Sequence, residues 1–198
     1  RFGVEGGFNM TKWNGELMPD YSQEAKSIVR EFSKSGMKPG FHAGVLADLV
    51  IQDHWSIQPE VLFAMEGSKI TDSLGTQKVS ALYIRIPILV YYNIMNVGPG
   101  QLSPGLGLFF AGGVGGSLEN GGDTFGDEGV LDEFDWGLNV KVAYEMQKMV
   151  SGLFGSIGFS QGFSTSKSTG MSVSVGYKFQ YAKFFKKKYN TGMLEYNP

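Results

Sequence analysis

Seven charged side chains interrupt segments that otherwise alternate between apolar and small residues. They are carboxylates and cations spread along most of the chain: Glu5, Asp48, Glu60, Arg85, Lys141, Glu145 and Lys178. A further carboxylate, Glu66, falls on the same face. Successive side chains of a strand point to opposite faces, and all seven fall on the face without large apolar residues. A charge enclosed by a closed sheet must pair or neutralise, because burying it alone is costly. We therefore predict a network of ion pairs inside such a sheet.

Within this charge network, Glu60 and Arg85 fall on neighbouring strands at similar heights and form a candidate pair. Two interpretations of the network remain open at this point. The ion pairs fill a narrow interior, or they line a path for ions or protons. If the sheet closes as a barrel of eight strands, filling is favoured, because a barrel of that size has room only for its own side chains.

Catalytic chemistry is poorly represented in the sequence. There is no Cys, and the two histidines are His42 and His54. Nucleophilic catalysis needs a nucleophile, a base and an orienting group at convergent positions, and no motif marks such a set. The glycine-rich run at 102–118 lies inside a strand pattern rather than before a helix, so it is not a phosphate loop. We expect no enzymatic activity, no cofactor and no metal.

An acidic link joins two of the predicted strands. Its carboxylates are Glu119, Asp123, Asp127, Glu128, Asp132, Glu133 and Asp135. Carboxylates at this density are able to hold a hard cation such as Ca²⁺, yet their spacing does not match an EF-hand loop. A solvated acidic loop is the favoured interpretation.

Two segments are candidates for binding protein partners. The segment PDYSQEAKSIVREFSKSG (19–36) predicts a helix capped by Asp20, and its apolar face includes Ile28, Val29 and Phe32. This face either folds over a barrel mouth or contacts a partner. Near the C-terminus a basic and aromatic stretch is either a solvated anchor or a docking segment. Its residues include Phe184, Phe185, Lys186, Lys187 and Lys188.

The strands that position these groups are clearest at Leu131–Gln147, LDEFDWGLNVKVAYEMQ. Every second residue from Phe134 to Met146 is apolar or aromatic, and the intervening residues are mostly charged, small or amide. A helix would mix the two sets on every face. The segment is therefore one long two-faced strand, of a length that suits a tilted membrane-spanning strand.

The same alternation predicts eight strands in all. Their approximate ranges are 2–12, 39–51, 55–67, 81–95, 102–118, 131–147, 150–163 and 170–181. The links between them alternate between long and short, and the link at 68–80 is among the long ones. Such an alternation is typical of an up-and-down transmembrane barrel with short periplasmic turns and longer extracellular loops. Pro87 lacks a donor for the ladder, so we expect a bulge beside it.

Alternation alone does not say which face of the sheet points outward. A soluble lipocalin-like carrier also alternates, with its apolar face lining a ligand cavity. A membrane barrel with its apolar face outward is favoured for two reasons. The polar face is rich in small residues, and aromatic residues lie near strand ends, as in interfacial girdles. The aromatic residues concerned are Trp13, Trp55, Tyr92, Trp136, Tyr144, Tyr177 and Tyr181.

Composition agrees with a single membrane-inserted domain. Charged residues make up 18% of the 198 residues, below the roughly 25% of soluble domains. The formal net charge of −2 gives no reason to expect a nucleic-acid partner. The sequence has no run of about 18 apolar residues, so it predicts no transmembrane helix. No signal peptide is visible before the first strand, and we expect an exported protein to be represented by its mature chain.

Several segments resemble a known family. They are FGVEGGFNMT, FHAGVLADL, SIQPEVLFAMEGSKI, LYIRIPILVYYNI, PGLGLFFAGG, FDWGLNVKVAYE and GYKF. Together they resemble the outer-membrane β-barrel domain family of Bacteroidota, which includes PorT-like proteins of the gliding and type IX secretion systems. The resemblance covers residues 1–181 and implies a small outer-membrane barrel. After Phe179 the chain departs from the family pattern.

The sequence thus predicts an all-β protein, an eight-stranded antiparallel up-and-down transmembrane barrel with a helical insert in its first extracellular loop. The barrel occupies residues 1–181, and a periplasmic tail occupies 182–198. We expect a monomeric barrel in outer-membrane lipid with both termini periplasmic. The favoured function is a structural or accessory subunit of a secretion or assembly machine that binds protein partners. A small pore or transport protein and a soluble carrier are the alternatives.

Overall fold

The computed structural model describes residues 1–13, 34–72, 75–118, 133–148, 150–164 and 167–179. Every regular element in these ranges is a β-strand. The strands are β1 (Phe2–Trp13), β2 (Lys34–Ala47), β3 (Leu49–Gln52), β4 (Trp55–Asp72), β5 (Gly75–Tyr92), β6 (Ile94–Val97), β7 (Gly100–Leu118), β8 (Phe134–Met146), β9 (Leu153–Gly162) and β10 (Ser168–Phe179).

The strands form one closed antiparallel barrel. Their order is β2-β1-β10-β9-β8-β7-β5-β4-β3, β6 pairs with β7, and pairing of β2 with β4 closes the sheet. Asp48 separates β2 from β3, and Asn93 separates β5 from β6, so each pair forms one long strand with a local break. The ten segments therefore make eight walls, and the predicted eight-stranded barrel is confirmed.

The barrel has two ends, named here after residues that lie at them. The Arg1 end carries Arg1 and the turns at 53–54 and 98–99, while the Trp13 end carries Trp13 and the outer ends of β4 and β5. The link expected at 68–80 is wrong, because β4 runs to Asp72 and pairs with β5 from Gly75 onward. Likewise β2 starts at Lys34 rather than near 39, and its first residues pair with β4. At both places, backbone pairing extends the strands into polar segments that were predicted to be links.

The apolar face lies outside, as predicted. Phe134, Trp136, Leu138 and Val140 of β8 are exposed, whereas the intervening Asp135 is buried. The other walls repeat this pattern, with Phe8 at 77% exposure on β1 beside buried Asn9. Charged, amide and hydroxyl side chains occupy the interior together with a smaller set of apolar ones such as Leu89 and Phe109. A soluble lipocalin-like carrier, with its apolar face inward, is therefore ruled out.

Two local predictions are wrong. Trp13 was expected among the outward aromatic residues, but it is 1% exposed on the inner face of β1. Its odd position in β1 places it in the row of Glu5, Asn9 and Thr11, and strand alternation fixes that direction. No bulge occurs at Pro87: the ladder with β7 shifts register between Leu82 and Tyr83 instead, and the ladder with β4 is interrupted between Ile88 and Arg85 without a shift.

Some predicted features lie outside the described residues. Most of the helical insert at 20–34, with Ile28, Val29 and Phe32, is among them; Lys34 begins β2. The tail with Phe184 and Phe185 and Lys186–188 is also outside, as is most of the acidic link. Within the part of the chain that is described, no helix is long and apolar enough to cross a membrane.

Close backbone approach explains one of the glycines of β7. A Cβ at Gly107 would clash with the Ile88 carbonyl oxygen and lie 2.7 Å from the Leu89 Cα. We expect Gly107→Ala to lower the free energy of unfolding by about 1–3 kcal/mol, because β5 and β7 must separate. Urea unfolding in phospholipid vesicles measures the change. Gly155→Ala is the matched substitution, since its Cβ would meet nothing closer than the Ser174 carbonyl oxygen at 3.8 Å. An equal loss in both variants would contradict the steric explanation.

Candidate functional site

Ion pairs occupy the lumen at three levels. At the Arg1 end, a basal cluster comprises Arg1, Asp48, Glu145 and Lys178. The Arg1 guanidinium bonds the carboxylates of Asp48 and Glu145, each at 2.5 Å. Lys178 Nζ lies 3.3 Å from each of the same two carboxylates. Two cationic side chains and two carboxylates thus pair across this end of the barrel.

A central cluster lies farther along the lumen and comprises Glu5, Glu60 and Lys141. Lys141 Nζ lies 3.1 Å from Glu5 Oε1 and 2.8 Å from Glu60 Oε2. All three side chains are almost completely buried. Gln58 adds a further hydrogen bond, because its Nε2 donates to Glu60 Oε1 at 2.7 Å. Two carboxylates share one ammonium here, so the cluster has one more carboxylate than cations.

An upper pair joins Arg85 and Glu66, with Arg85 Nη1 donating to Glu66 Oε1. The Arg85 guanidinium also lies 4.0 Å from the centre of the Phe109 ring. The predicted pairing of Glu60 with Arg85 is therefore wrong. Arg85 lies opposite Leu62 in the ladder, its side chain reaches Glu66, and Glu60 instead contacts Lys141 across the lumen.

Between the basal and central clusters the lumen holds a small apolar group. Leu89, Tyr91 and Ala143 form it, and all three are buried. Beside the basal cluster, amides and hydroxyls bond one another: Asn93 Nδ2 donates to Ser56 Oγ, and Gln101 Nε2 donates to Asn93 Oδ1 at 2.8 Å. The lower half of the lumen is therefore packed with side chains, and within it the buried hydroxyls of Tyr91 and Ser156 have no hydrogen-bond partner among the described residues.

A small cavity separates the central cluster from the upper pair. Its volume is about 50 Å³, and its lining includes Asn9, His42, Glu66, Arg85, Lys141 and Ser174. The side formed by β9 and β10 supplies Gly170 and several serines, which leave this space unfilled. One water needs roughly 10–15 Å³ by this kind of measure, so the cavity has room for several.

The two histidines lie in different parts of the barrel. His42 Nε2 lies 2.8 Å from Ser174 Oγ, inside the barrel wall. A hydrolytic triad also requires a group that orients the histidine, and the lumen carboxylates of Glu5, Glu60 and Glu66 bond cations instead. His54 is exposed in the turn at the Arg1 end and stacks on Tyr92. Among the described residues, no cluster of His, Asp and Glu is able to hold a metal ion.

All seven predicted lumen residues take part in ion pairs, although some of their partners differ from those expected. Sequence reasoning did not include Arg1, whose position before the first strand gave no sign of its inward direction. It also did not assign Glu66 to Arg85 or Gln58 to Glu60. Position on the inner face was readable from alternation, but partners across the lumen depend on how the sheet closes.

One solved structure has a similar fold. The crystal structure of the outer membrane protein OprG from Pseudomonas aeruginosa is similar with a TM-score of 0.56 and 13% identity, over 90% of this chain and 95% of that chain. The NanC porin structure also aligns, over 90% of this chain and 100% of that chain, with 8% identity and a TM-score of 0.26. At these identities the first likeness concerns the fold alone, and the second is too distant to support an argument. No curated protein sequence matches the chain.

A family profile covers most of the barrel. The profile of the outer membrane protein beta-barrel domain matches residues 1–168. That range extends from β1 to the start of β10 and includes every residue of the central cluster. The apolar exterior and the polar lumen agree with insertion in an outer membrane. The chain belongs to the outer membrane protein beta-barrel domain family and is an outer-membrane protein.

Proposed function

We propose that this barrel is a non-conducting anchor, a structural or accessory subunit of an outer-membrane secretion or assembly machine. The observation that carries the proposal is the filling of the lumen by the basal and central clusters and the apolar group between them. A wall of eight strands leaves little space beyond its own side chains. Such a barrel holds a fixed place in the membrane and binds other proteins through parts outside it.

The proposal includes an orientation. The Arg1 end, with its short turns, faces the periplasm, because barrels of this kind place short turns there. Both termini are then periplasmic, and the basic segment Lys186–Lys188 meets a periplasmic partner. The apolar residues Ile28, Val29 and Phe32 meet a partner on the opposite side. The barrel itself is a monomer in lipid, and neither nucleic acid nor a cofactor takes part.

Affinity purification from native membranes in mild detergent tests the partner proposal. We expect specific proteins to accompany the tagged full chain, and we expect charge reversal at Lys186, Lys187 and Lys188 to reduce their recovery severalfold. The matched variant reverses Lys167, an exposed cation on a described connection at the Trp13 end. A chain that always purifies alone would contradict the proposed function, and so would an equal loss of partner recovery in both variants.

A finer relationship follows from the sequence segments that resemble PorT-like barrels of Bacteroidota. We propose that the machine is a type IX or gliding-associated system, and that this barrel serves it without catalysing a reaction. The segments SIQPEVLFAMEGSKI and LYIRIPILVYYNI support this placement. Recovery of subunits of another kind of machine in the same purification would contradict it.

A small pore is the second candidate, and the cavity below the upper pair favours it. Planar-bilayer recording separates the two functions. We expect the purified chain to show no stepwise conductance, because Lys141 bonds carboxylates from two other walls and blocks the centre. Regular current steps from the wild-type barrel would contradict the anchor function and support the pore function.

A further inference from the structure

Two residues that line the lumen cavity each have a buried polar atom without a hydrogen-bond partner among the described residues. The atoms are Asn9 Oδ1, an acceptor, and Arg85 Nη2, a donor. The two residues are 7% and 8% exposed, and both line the same cavity. A buried donor or acceptor left unmade is costly, so a native site that keeps one of each calls for an occupant.

Both groups are held in place by their other atoms. Asn9 Nδ2 donates to the Met65 carbonyl oxygen at 3.0 Å, which fixes the amide so that its oxygen is the free atom. Arg85 donates to Glu66 through Nη1 and lies over the Phe109 ring. The donor and the acceptor are therefore preorganised, and binding does not have to order them.

The charges around the cavity select against ions. Arg85 and Lys141 are the cations that line it, and Glu5 and Glu66 are the carboxylates. Glu60 lies behind Lys141 and adds a third carboxylate. Each of these charges already has a partner, so an added ion of either sign would lose its hydration without gaining a free counter-charge. A neutral molecule avoids that cost.

We propose that this cavity binds a small neutral solute that carries an acceptor beside a donor, as a primary amide or a diol does. Its acceptor takes the hydrogen bond from Arg85 Nη2, and its donor bonds Asn9 Oδ1. The hydroxyl of Ser174, paired with His42, offers a further contact. This site goes beyond the anchoring function and does not depend on it, since a binding site in the lumen neither requires nor excludes a partner protein.

Three probes of similar size and different charge test the site: acetamide, acetate and methylammonium. Each is titrated at constant ionic strength into the folded full chain in micelles, while nuclear magnetic resonance follows the His42 ring and the Arg85 guanidinium. We expect saturable shifts with acetamide and about tenfold weaker binding of the other two, the ratio that one lost buried hydrogen bond produces. Preference for acetate would overturn the neutral-solute assignment. Linear, unsaturated shifts with all three would show that the cavity holds water only.

Variants locate the binding. Asn9→Leu removes the acceptor, and we expect it to abolish the saturable shifts. Ser156→Ala is its partner experiment, because Ser156 also has an unpartnered buried oxygen but does not line this cavity. The mobility difference between folded and heat-unfolded barrel on a gel reports folding. If Asn9→Leu does not fold, the wild-type titration still decides the proposal. Saturable binding that survives in folded Asn9→Leu would overturn the site.

Discussion

Replacing Lys141 with Met is expected to lower the free energy of unfolding by about 3–5 kcal/mol, the range found when one partner of a buried ion pair is removed. The substitution leaves Glu5 and Glu60 facing each other without their shared cation. Neither carboxylate side chain is exposed to the surrounding solvent, so the two charges lose their shared cation without gaining another. Urea unfolding in phospholipid vesicles, followed by tryptophan fluorescence, measures the loss.

Companion variants separate charge from packing. Adding Glu5→Gln and Glu60→Gln to Lys141→Met removes both stranded charges, and we expect most of the stability to return, since neutral replacement of buried ion pairs is often harmless. Glu60→Gln alone is expected to be neutral or stabilising, because the central cluster has one carboxylate more than it has cations. A loss below about 1 kcal/mol for Lys141→Met, the value of an exposed pair, would show that water reaches this cluster.

Placing Arg at Val140 is expected to lower the free energy of unfolding by about 2–4 kcal/mol. Val140 is 44% exposed on the outer wall and lies midway along β8. A guanidinium there meets the hydrocarbon centre of the bilayer rather than water. The same unfolding measurement in vesicles applies, and Val140→Leu, which keeps the surface apolar, should change stability by less than about 1.5 kcal/mol.

Asn139, the residue before Val140, lies on the opposite face of β8, where a polar side chain rather than an apolar one is expected. Asn139 belongs to the inner face and lines the lumen cavity, so Asn139→Leu is expected to cost less than Val140→Arg. If Val140→Arg proved harmless while Asn139→Leu abolished folding, the two faces would be inverted. A barrel with inverted faces would no longer fit the outer-membrane assignment.

The fold was readable from the sequence because strand alternation is local. A residue at position i and its neighbour at i+1 point to opposite faces whatever the rest of the chain does. The exposed apolar row of β8 and the buried Lys141 and Glu145 between its members follow from that rule alone. The lengths of some strands did not follow, because polar segments such as 68–80 pair through backbone groups that any side chain permits.

The ion-pair partners across the lumen did not follow from the sequence. In the order β4-β5-β7-β8, Lys141 on β8 lies three walls from Glu60, and in the order β8-β9-β10-β1 it lies three walls from Glu5. Only closure of the sheet places these strands opposite one another. Arg85 shows the same limit, because neighbouring walls suggested Glu60 while its long side chain reaches Glu66.

The sequence by itself determined the all-β class, the eight walls, the apolar exterior and the set of charged residues that face inward. These features rest on alternation, which acts between adjacent residues. The tertiary structure alone decided which charges pair, that Arg1 takes part, that Glu66 is the partner of Arg85, and that a cavity separates the central cluster from Arg85. Those features depend on the register and curvature of a closed sheet, which bring together side chains far apart in the chain.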